Sequence, residues 1–309
     1  MASIITVTFS PCIDKSTSIP KLVPDKKLKC AAPHLDPGGG GINVARAIKN
    51  LGGIATAVFP SGGFTGKYFN QLMEKEKVPS IIIETQNESR ENFIIVDDMT
   101  HQQYRFGMPG TELRESEWKQ MMKTIEKMEQ IDFLIASGSL PPGVPNDIYA
   151  QLSLIAKKKN SKYIVDASGE PLKLAIAAGV YLIKPNLGEL STLAGYEYLK
   201  PEQISEIASG LISKGNCEAV VVSMGASGAM LVTKDVIEQF VPPEVERKST
   251  VGAGDSMVGG IVFSLANGMT LSEAVQYGVA CGTAATLNTG TALCRKEDVD
   301  ELLDRMRNR

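Results

Sequence analysis

Histidine is almost absent from this sequence. Only His34 and His101 occur among 309 residues, and both fall in stretches whose pattern predicts surface strands or loops. A catalytic triad needs a histidine beside its nucleophile, and a histidine metal site needs several histidines in one place. The sequence therefore argues against both kinds of site.

Cysteine is scarce as well, and no C-x-x-C pair occurs. The five cysteines are scattered along the chain, at Cys12, Cys30, Cys217, Cys281 and Cys294. An odd number of scattered thiols is typical of a reduced protein and provides no zinc site. We therefore expect a cytoplasmic location.

Basic residues are not in excess, and long apolar runs are missing. The formal net charge is −3, which argues against nucleic acid or an anionic membrane as the main partner. No apolar run reaches the length that spans a bilayer. The first ten residues, M-A-S-I-I-T-V-T-F-S, lack a basic leader and predict a first strand, not a signal peptide.

The apolar content itself is that of a globular protein. Hydrophobic residues make up 43%, enough for one large α/β domain or two smaller ones. From residue 115 on, helical and strand patterns alternate, with helices at 115–129, 146–158 and 170–178 and strands at 132–136, 162–166 and 180–184. This alternation predicts a parallel sheet with crossover helices. Polar clusters at 137–143, 166 and 184–189 follow the three strands and predict a ligand-binding rim.

A small β-rich unit is predicted before that alternation. Residues 15–35 carry prolines, lysines and β-formers without a helical period, which predicts short exposed strands. Arg90 opens a second stretch in which the turn D-D-M-T separates two strand patterns, as in a hairpin. Arg90 and Arg105 lie on this hairpin. A guanidinium fork suits a phosphate, and solvated surface arginines are the alternative.

Four consecutive glycines stand in the stretch P-G-G-G-G-I-N-V-A-R-A, residues 37–47. Each glycine loses maximal backbone entropy on folding, so we expect the run to serve close approach to a ligand and not packing. An apolar helix follows, with Asn43 and Arg46 in its first turns. The spacing fits neither a G-x-x-x-x-G-K-[ST] phosphate loop nor a G-x-G-x-x-G dinucleotide fingerprint.

A second glycine stretch, S-T-V-G-A-G-D-S-M-V-G-G, covers residues 249–260. Gly252, Ala253 and Gly254 precede an apolar helical pattern. A glycine turn that opens a helix forms an anion hole, because its unpaired N–H groups and the positive end of the helix dipole face the same way. Asp255 lies in the first turn, where a carboxylate can accept a proton from a substrate hydroxyl. The alternative is an ordinary helix-start aspartate.

Two further sets of polar residues follow predicted strands. Asn186 and Glu189 are three residues apart, and on one helix face they could hold a hydrated Mg²⁺. Asn with Glu three positions later is also close to a capping box, which is the alternative. Asp14 lies just past the first strand, where open α/β sheets bind ligands, and a solvated loop aspartate is its alternative.

These motifs make the chain resemble the ribokinase-like carbohydrate kinases of the PfkB family. The stretches S-G-S-L-P-P-G-V, K-P-N-L-G-E and S-M-G-A-S-G support the resemblance, which covers essentially the whole chain. It implies a single α/β domain, 1–309, with a three-layer α/β/α fold, a mostly parallel central sheet and a small β-sheet lid at 13–34 and 88–108. Ser249 stands where sugar kinases of the family usually carry aspartate, so the resemblance is to the branch that phosphorylates sugar phosphates.

The resemblance also implies a role for each matching residue. Asp255 takes the proton, and the amides of Gly252, Ala253 and Gly254 hold the phosphoryl oxygens. The residues implied for the sugar are Asp14, Gly39, Gly40, Asn43 and Ser139, and those for its phosphate are Arg90, Lys27 and Arg105. The residues implied for ATP are Lys184, Asn186, Ser223, Gly225 and Gly228, with Asn186 and Glu189 acting through Mg²⁺. The residues implied for K⁺ are Ser249, Val251, Asn288 and Gly290.

The implied activity is ATP-dependent phosphorylation of a sugar phosphate at its primary hydroxyl. Residues 25–33 and 103–110 resemble family members that convert fructose 6-phosphate to fructose 1,6-bisphosphate, and fructose 1-phosphate and tagatose 6-phosphate are the alternative substrates. A catalytically silent sensor of sugar phosphate or nucleotide is the alternative from another class. The lid is implied to exclude water on closure and to pair two subunits as a homodimer.

Overall fold

The computed structural model describes residues 2–213 and 215–308. Within these ranges the strands are β1 (Ile4–Val7), β2 (Cys12–Ile19), β3 (His34–Gly38), β4 (Thr56–Gly62), β5 (Ser80–Thr85), β6 (Arg90–Asp97), β7 (Gln103–Phe106), β8 (Phe133–Ser137), β9 (Lys162–Asp166), β10 (Val180–Ile183), β11 (Cys217–Ser223), β12 (Ala229–Thr233) and β13 (Ile237–Phe240). The helices are α1 (Gly40–Asn50), α2 (Gly63–Glu76), α3 (Glu115–Lys127), α4 (Ile148–Lys158), α5 (Gly169–Ala178), α6 (Leu187–Ala194), α7 (Pro201–Ser213), α8 (Ala253–Ala266), α9 (Leu271–Thr286) and α10 (Lys296–Arg307).

The main sheet lies between two helical layers. Its strand order over the described residues is β13-β12-β11-β10-β9-β8-β1-β4-β5, with parallel pairing from β11 to β5 and antiparallel pairing at the β12 and β13 edge. Alternate strand residues face opposite sides. One core cluster joins them to α3 through α7, and the other joins them to α1, α2, α8 and α9. The three-layer fold with a mostly parallel sheet is confirmed.

The β-rich stretches form a second, separate sheet in the order β3-β2-β6-β7. The hairpin is confirmed, since β6 and β7 pair antiparallel with Phe93 opposite Phe106. The expectation of short strands across 15–35 is wrong for its middle part. Residues 20–33 contain no strand, and three prolines in this stretch lack the N–H that a strand ladder requires.

The fold brings the predicted rim together. Strands β8, β9 and β10 are neighbours in the sheet, so the polar clusters after them lie side by side. In one of the two helical layers, α1 and α8 pack closely against each other. A Cβ at Gly259 would lie only 2.8 Å from the Cβ of Ala47. None of the helices in the described ranges is both long and apolar enough to cross a membrane.

Candidate active site

Asp255 stands at the start of α8, on a turn that requires glycine. The residue before the helix, Gly252, has φ 72°, in the left-handed region, which glycine adopts without a steric penalty. No side chain caps this helix end. At α2, by contrast, the Glu88 carboxylate accepts from the amides of Phe64 and Thr65. The α8 amides therefore stay open to an anion.

The two glycine stretches meet at Asp255. The Asn43 Nδ2 atom, in the first turn of α1, donates to Asp255 Oδ2 at 2.9 Å, across 212 residues of sequence. On the other side, a Cβ at Gly254 would lie 3.3 Å from the Lys184 Nζ atom. The structure thus places a carboxylate, a primary amide and a buried ammonium around one helix N-terminus.

The surroundings of Asp255 change its proton affinity. Burial raises the pKa of Asp255 to about 6, and the nearby Asp166 carboxylate adds to the rise, while the Asn43 hydrogen bond and the Lys184 charge oppose it. Burial opposes the charge on Lys184, but attraction to Asp166, 3.2 Å from its Nζ, raises the pKa of Lys184 overall. Asp255 therefore holds a proton more readily than a free aspartate, which suits a general base.

This pKa predicts how activity depends on pH. Below pH 6 Asp255 is protonated and cannot accept a hydroxyl proton, so kcat/KM is expected to rise with pH through about 6 and to be about tenfold lower one unit below it. The measurement is a pH profile from 5 to 8 with excess coupling enzymes and circular dichroism at each pH. A flat profile with folded protein would contradict the assignment.

The four-glycine run serves packing within the protein, so the expectation that it does not was wrong. A Cβ at Gly38 would lie 2.2 Å from Asp14 Oδ2, one at Gly40 2.2 Å from Ser137 Oγ, and one at Gly41 2.6 Å from Thr8 Oγ1. The backbone enters α1 across the ends of β1 and β8, where no side chain fits. Gly39 precedes α1 with φ 113°, which again favours glycine.

Asp14 is buried on β2 and held by two residues that the sequence did not point to. Its Oδ1 atom accepts from Asn92 Nδ2 at 3.0 Å and from the Cys12 thiol at 3.3 Å. Burial raises the pKa of Asp14, and both hydrogen bonds oppose the rise. Cys12 lies two residues before Asp14 on the same strand, so the two side chains share a face. Asn92 lies opposite Asp14 on β6, so only the pairing of β2 with β6 reveals it.

Because Gly38 contacts Asp14 so closely, we expect Gly38→Ala to displace this carboxylate. Losing one hydrogen bond to a charged group corresponds to about 1.5–3 kcal/mol, so KM for the sugar substrate should rise at least about tenfold with a smaller change in KM for ATP. The matched control is Gly107→Ala, since a Cβ there meets nothing within 4 Å. Equal KM values for the two variants would remove Asp14 from the substrate site.

The three candidate phosphate ligands differ in position. Arg90 donates from Nη1 to the Met108 carbonyl at 2.9 Å and from Nη2 to the Ser10 carbonyl at 3.0 Å. Arg105 donates to Thr250 Oγ1 at 2.7 Å, so the hairpin touches the second glycine stretch. Lys27 is exposed between β2 and β3. Ser139 is exposed just after β8, and its role stays a prediction.

A cavity of about 550 Å³ lies beside the α8 N-terminus. Its volume is that of a small-molecule site. Its lining includes the predicted residues Asn186, Ser223, Gly225, Gly228, Ala253 and Gly254. Sequence reasoning missed two parts of the lining, namely Pro242–Val245 with Arg247, and the α9 face with Val279, Gly282, Thr283 and Thr286. The Pro-Pro pair after β13 and the small residues within α9 were the available signals.

Asn186 and Glu189 form the capping arrangement that was the alternative for them. Asn186 precedes α6 and accepts from the Glu189 amide at 2.9 Å, while Glu189 Oε2 accepts from the Asn186 amide at 2.8 Å. The pair therefore does not share a helix face. Burial raises the pKa of Glu189, with the Asn186 amide opposing the rise. Within the described residues no group of three or more His, Cys, Asp and Glu side chains could hold a metal.

The four residues implied for K⁺ come together in space. Ser249 Oγ donates to the Gly290 carbonyl at 2.8 Å and accepts from the Val251 amide at 3.2 Å. Asn288 is buried in the same loop and donates to the Ala284 and Leu293 carbonyls. Backbone carbonyls and hydroxyls are the oxygen ligands that a hard cation needs, so this loop pair fits such an ion.

The chain is similar to known proteins along nearly all of its length. Residues 7–298 match the pfkB family carbohydrate kinases. The chain is 45% identical to ATP-dependent 6-phosphofructokinase isozyme 2 of Escherichia coli, over 98% of each chain, and 29% identical to 1-phosphofructokinase of Borreliella burgdorferi, over 98% of this chain and 97% of that one. Crystal structures of phosphofructokinase-2 from Escherichia coli, one in complex with potassium and one with fructose-6-phosphate, match with TM-scores of 0.95 and 0.94 at 44% and 42% identity, covering 99% of this chain and 100% of those chains.

A family match over residues 7–298 and a relative 45% identical along nearly all of both chains agree with the fold. This chain belongs to the pfkB family of carbohydrate kinases.

Proposed function

We propose that this kinase transfers a phosphoryl group from ATP to the primary hydroxyl of fructose 6-phosphate, giving fructose 1,6-bisphosphate. The observation that carries the proposal is the position of Asp255 in the first turn of α8, whose uncapped N-terminus lines the 550 Å³ cavity and lies within electrostatic range of the Asp14 carboxylate. A sugar at Asp14 and a nucleotide in the cavity would meet at Asp255. The similarity to 6-phosphofructokinase isozyme 2 of Escherichia coli, and to the phosphofructokinase-2 of that organism in complex with fructose-6-phosphate, supports fructose 6-phosphate as the acceptor.

The chain's own residues supply positioning and electrostatics. Asp14 orients a sugar hydroxyl, and Asp255 accepts the proton of the primary hydroxyl as its oxygen forms the bond to phosphorus and the bond to the ADP oxygen breaks. ATP, when bound, supplies the transferring phosphoryl group. The amides of Ala253 and Gly254 and the Lys184 ammonium stabilise the charge that spreads over its equatorial oxygens, which is the main catalytic effect in phosphoryl transfer.

Two cations complete the proposal. Asn186 lines the cavity and is joined to Glu189 by their capping hydrogen bonds, which leave the second carboxylate oxygen of Glu189 for a hydrated Mg²⁺. Mg²⁺ usually binds through one or two carboxylates plus substrate phosphates. A single carboxylate, that of Glu189, is therefore enough when ATP supplies the phosphates. The Ser249–Gly290 loop pair would hold K⁺ next to the anion hole.

A substrate panel tests the function. ADP release is measured with fructose 6-phosphate, fructose 1-phosphate and tagatose 6-phosphate, each with and without K⁺, and kcat/KM is expected to be highest with fructose 6-phosphate and K⁺. A higher kcat/KM with fructose 1-phosphate or tagatose 6-phosphate would show that this sugar phosphate, and not fructose 6-phosphate, is the acceptor. Binding of sugar phosphate or nucleotide without ADP release would reject the kinase activity and support the alternative, a catalytically silent sensor.

We also propose a homodimer formed through the lid, in the cytoplasm. Phe93, Phe106 and Met108 on the lid are 39%, 45% and 40% exposed, and apolar side chains on a sheet face are typical of an interface. The five cysteines, all within the described ranges, are free thiols, as in a reducing compartment. Sedimentation velocity should give twice the chain mass, and a monomer at micromolar concentration would overturn the dimer.

A further inference from the structure

Arg46 is a buried residue of α1, three positions after Asn43, and its guanidinium is surrounded by hydrogen-bond acceptors. It is 5% exposed, and Asn43 and Asp36 beside it are 8% and 7% exposed. Its Nη2 atom donates to Asp36 Oδ1 at 3.2 Å and to Glu76 Oε1 at 2.9 Å, and its Nη1 atom donates to the Pro37 carbonyl at 3.0 Å. A planar guanidinium with several fixed partners has little freedom to turn.

The remaining contact of Arg46 leads to the reacting group. Its Nη1 atom lies 3.4 Å from Asn43 Oδ1, and the same amide donates through Nδ2 to Asp255 at 2.9 Å. Arginine can only donate, and an ionised carboxylate can only accept. An amide between them satisfies both in one orientation, with oxygen toward Arg46 and nitrogen toward Asp255.

Arg46 is itself tied to the opposite end of the sequence. The other oxygen of Asp36 accepts from the Thr291 hydroxyl, across 255 residues. Thr291 follows Gly290 in the loop proposed to hold K⁺. A continuous series of hydrogen bonds therefore runs from that loop through Asp36, Arg46 and Asn43 to Asp255.

We infer that Arg46 is a positioning residue for phosphoryl transfer, which acts by fixing the Asn43 amide against Asp255. The inference rests on the proposed function. Without Arg46 the amide could turn its oxygen to Asp255 and repel the carboxylate. Misplacing a reacting group by about 1 Å costs about 10²-fold in rate, so loss of this orientation should lower kcat more than it changes KM for ATP.

The test uses Arg46→Lys, which keeps the buried charge but not the fork, and Arg46→Gln. Both should lower kcat about tenfold or more. They should also move the acid limb of the pH profile to higher pH, because the Asn43 bond lowers the pKa of Asp255. The other charged groups that act on Asp255, namely Lys184, Asp166 and Asp14, are unchanged in these variants. Arg46→Lys keeps the test available if Arg46→Gln does not fold.

A double-mutant comparison separates positioning from general stability. If Arg46 acts through Asn43, Arg46→Lys should cost less than about twofold further in kcat in an Asn43→Ala background. Full additivity of the two losses would overturn the inference. The matched control is Glu76→Gln, which neutralises the charge of an Arg46 partner other than Asn43 and should lower Tm without moving the acid limb.

The outcomes also distinguish this inference from the proposed function. If the unchanged enzyme releases no ADP with any sugar phosphate, the proposed function fails first. If the unchanged enzyme turns over and Arg46→Lys keeps the same kcat and acid limb, only the role of Arg46 is overturned. A lower Tm alone would mean that Arg46 is a structural ion pair.

Discussion

An Asp255→Asn enzyme is expected to lose at least ~10²-fold in kcat, because a side-chain base contributes about 10²–10⁴-fold and an amide cannot accept the hydroxyl proton. The change is nearly isosteric, so KM for the sugar phosphate and for ATP should stay within a few fold. The measurement is steady-state kinetics at pH 8, where Asp255 of the unchanged enzyme is ionised. Near-normal turnover of the variant would reject Asp255 as the base.

The same variant should be more stable than the unchanged enzyme. Burial raises the folded-state pKa of Asp255 to about 6, above that of an unfolded aspartate, so the folded state binds more protons and loses stability as pH rises between the two values. A neutral amide removes this penalty, and Tm at pH 8 should increase. Asp235→Asn, an exposed turn residue between β12 and β13, is the control and should change neither kcat nor Tm.

Arg90→Ala is expected to raise KM for the sugar phosphate about 10- to 100-fold, since a hydrogen bond to a charged group contributes about 1.5–3 kcal/mol. The guanidinium is held by the Met108 and Ser10 carbonyls, so a phosphate that binds it would cost little side-chain entropy. The KM for ATP should change much less. The measurement is the pair of KM values under saturating co-substrate.

Arg90→Lys and Arg307→Ala serve as controls for this prediction. Lysine keeps the charge but not the fork, so it should give an intermediate KM. Arg307 is exposed at the end of α10, and its removal should leave both KM values unchanged. An unchanged sugar KM in Arg90→Ala would remove Arg90 from the phosphate site.

Local patterns placed most elements within a few residues of where the structure has them. The helical pattern at 115–129 matches α3, and the strand pattern at 162–166 matches β9, because burial of one face imposes the period. Short strands were predicted across 15–35, but residues 20–33 form a loop without a strand. Residue type predicts whether a segment can extend, but pairing depends on partners elsewhere in the chain.

For the four-glycine run, the sequence correctly predicted that glycine is required, but the expected reason, close approach to a ligand and not packing, was wrong. The entropy cost of four glycines indicated a requirement at that point, and the requirement is real. Its source is contact with Asp14, Ser137 and Thr8, residues that lie far away in sequence. No local pattern reports such contacts, since they depend on how β1, β2 and β8 are arranged.

The sequence alone determined the fold class, the two glycine stretches and the residue types at the centre of the site, because hydrophobic period and glycine turns are local properties. Only the tertiary structure decided which of those residues meet. It joined Asn43 to Asp255, supported Asp14 with Asn92, and linked Arg46 through Asp36 to Thr291. These contacts cross up to 255 residues of chain, and their geometry follows from sheet order and helix packing, which no short stretch of sequence encodes.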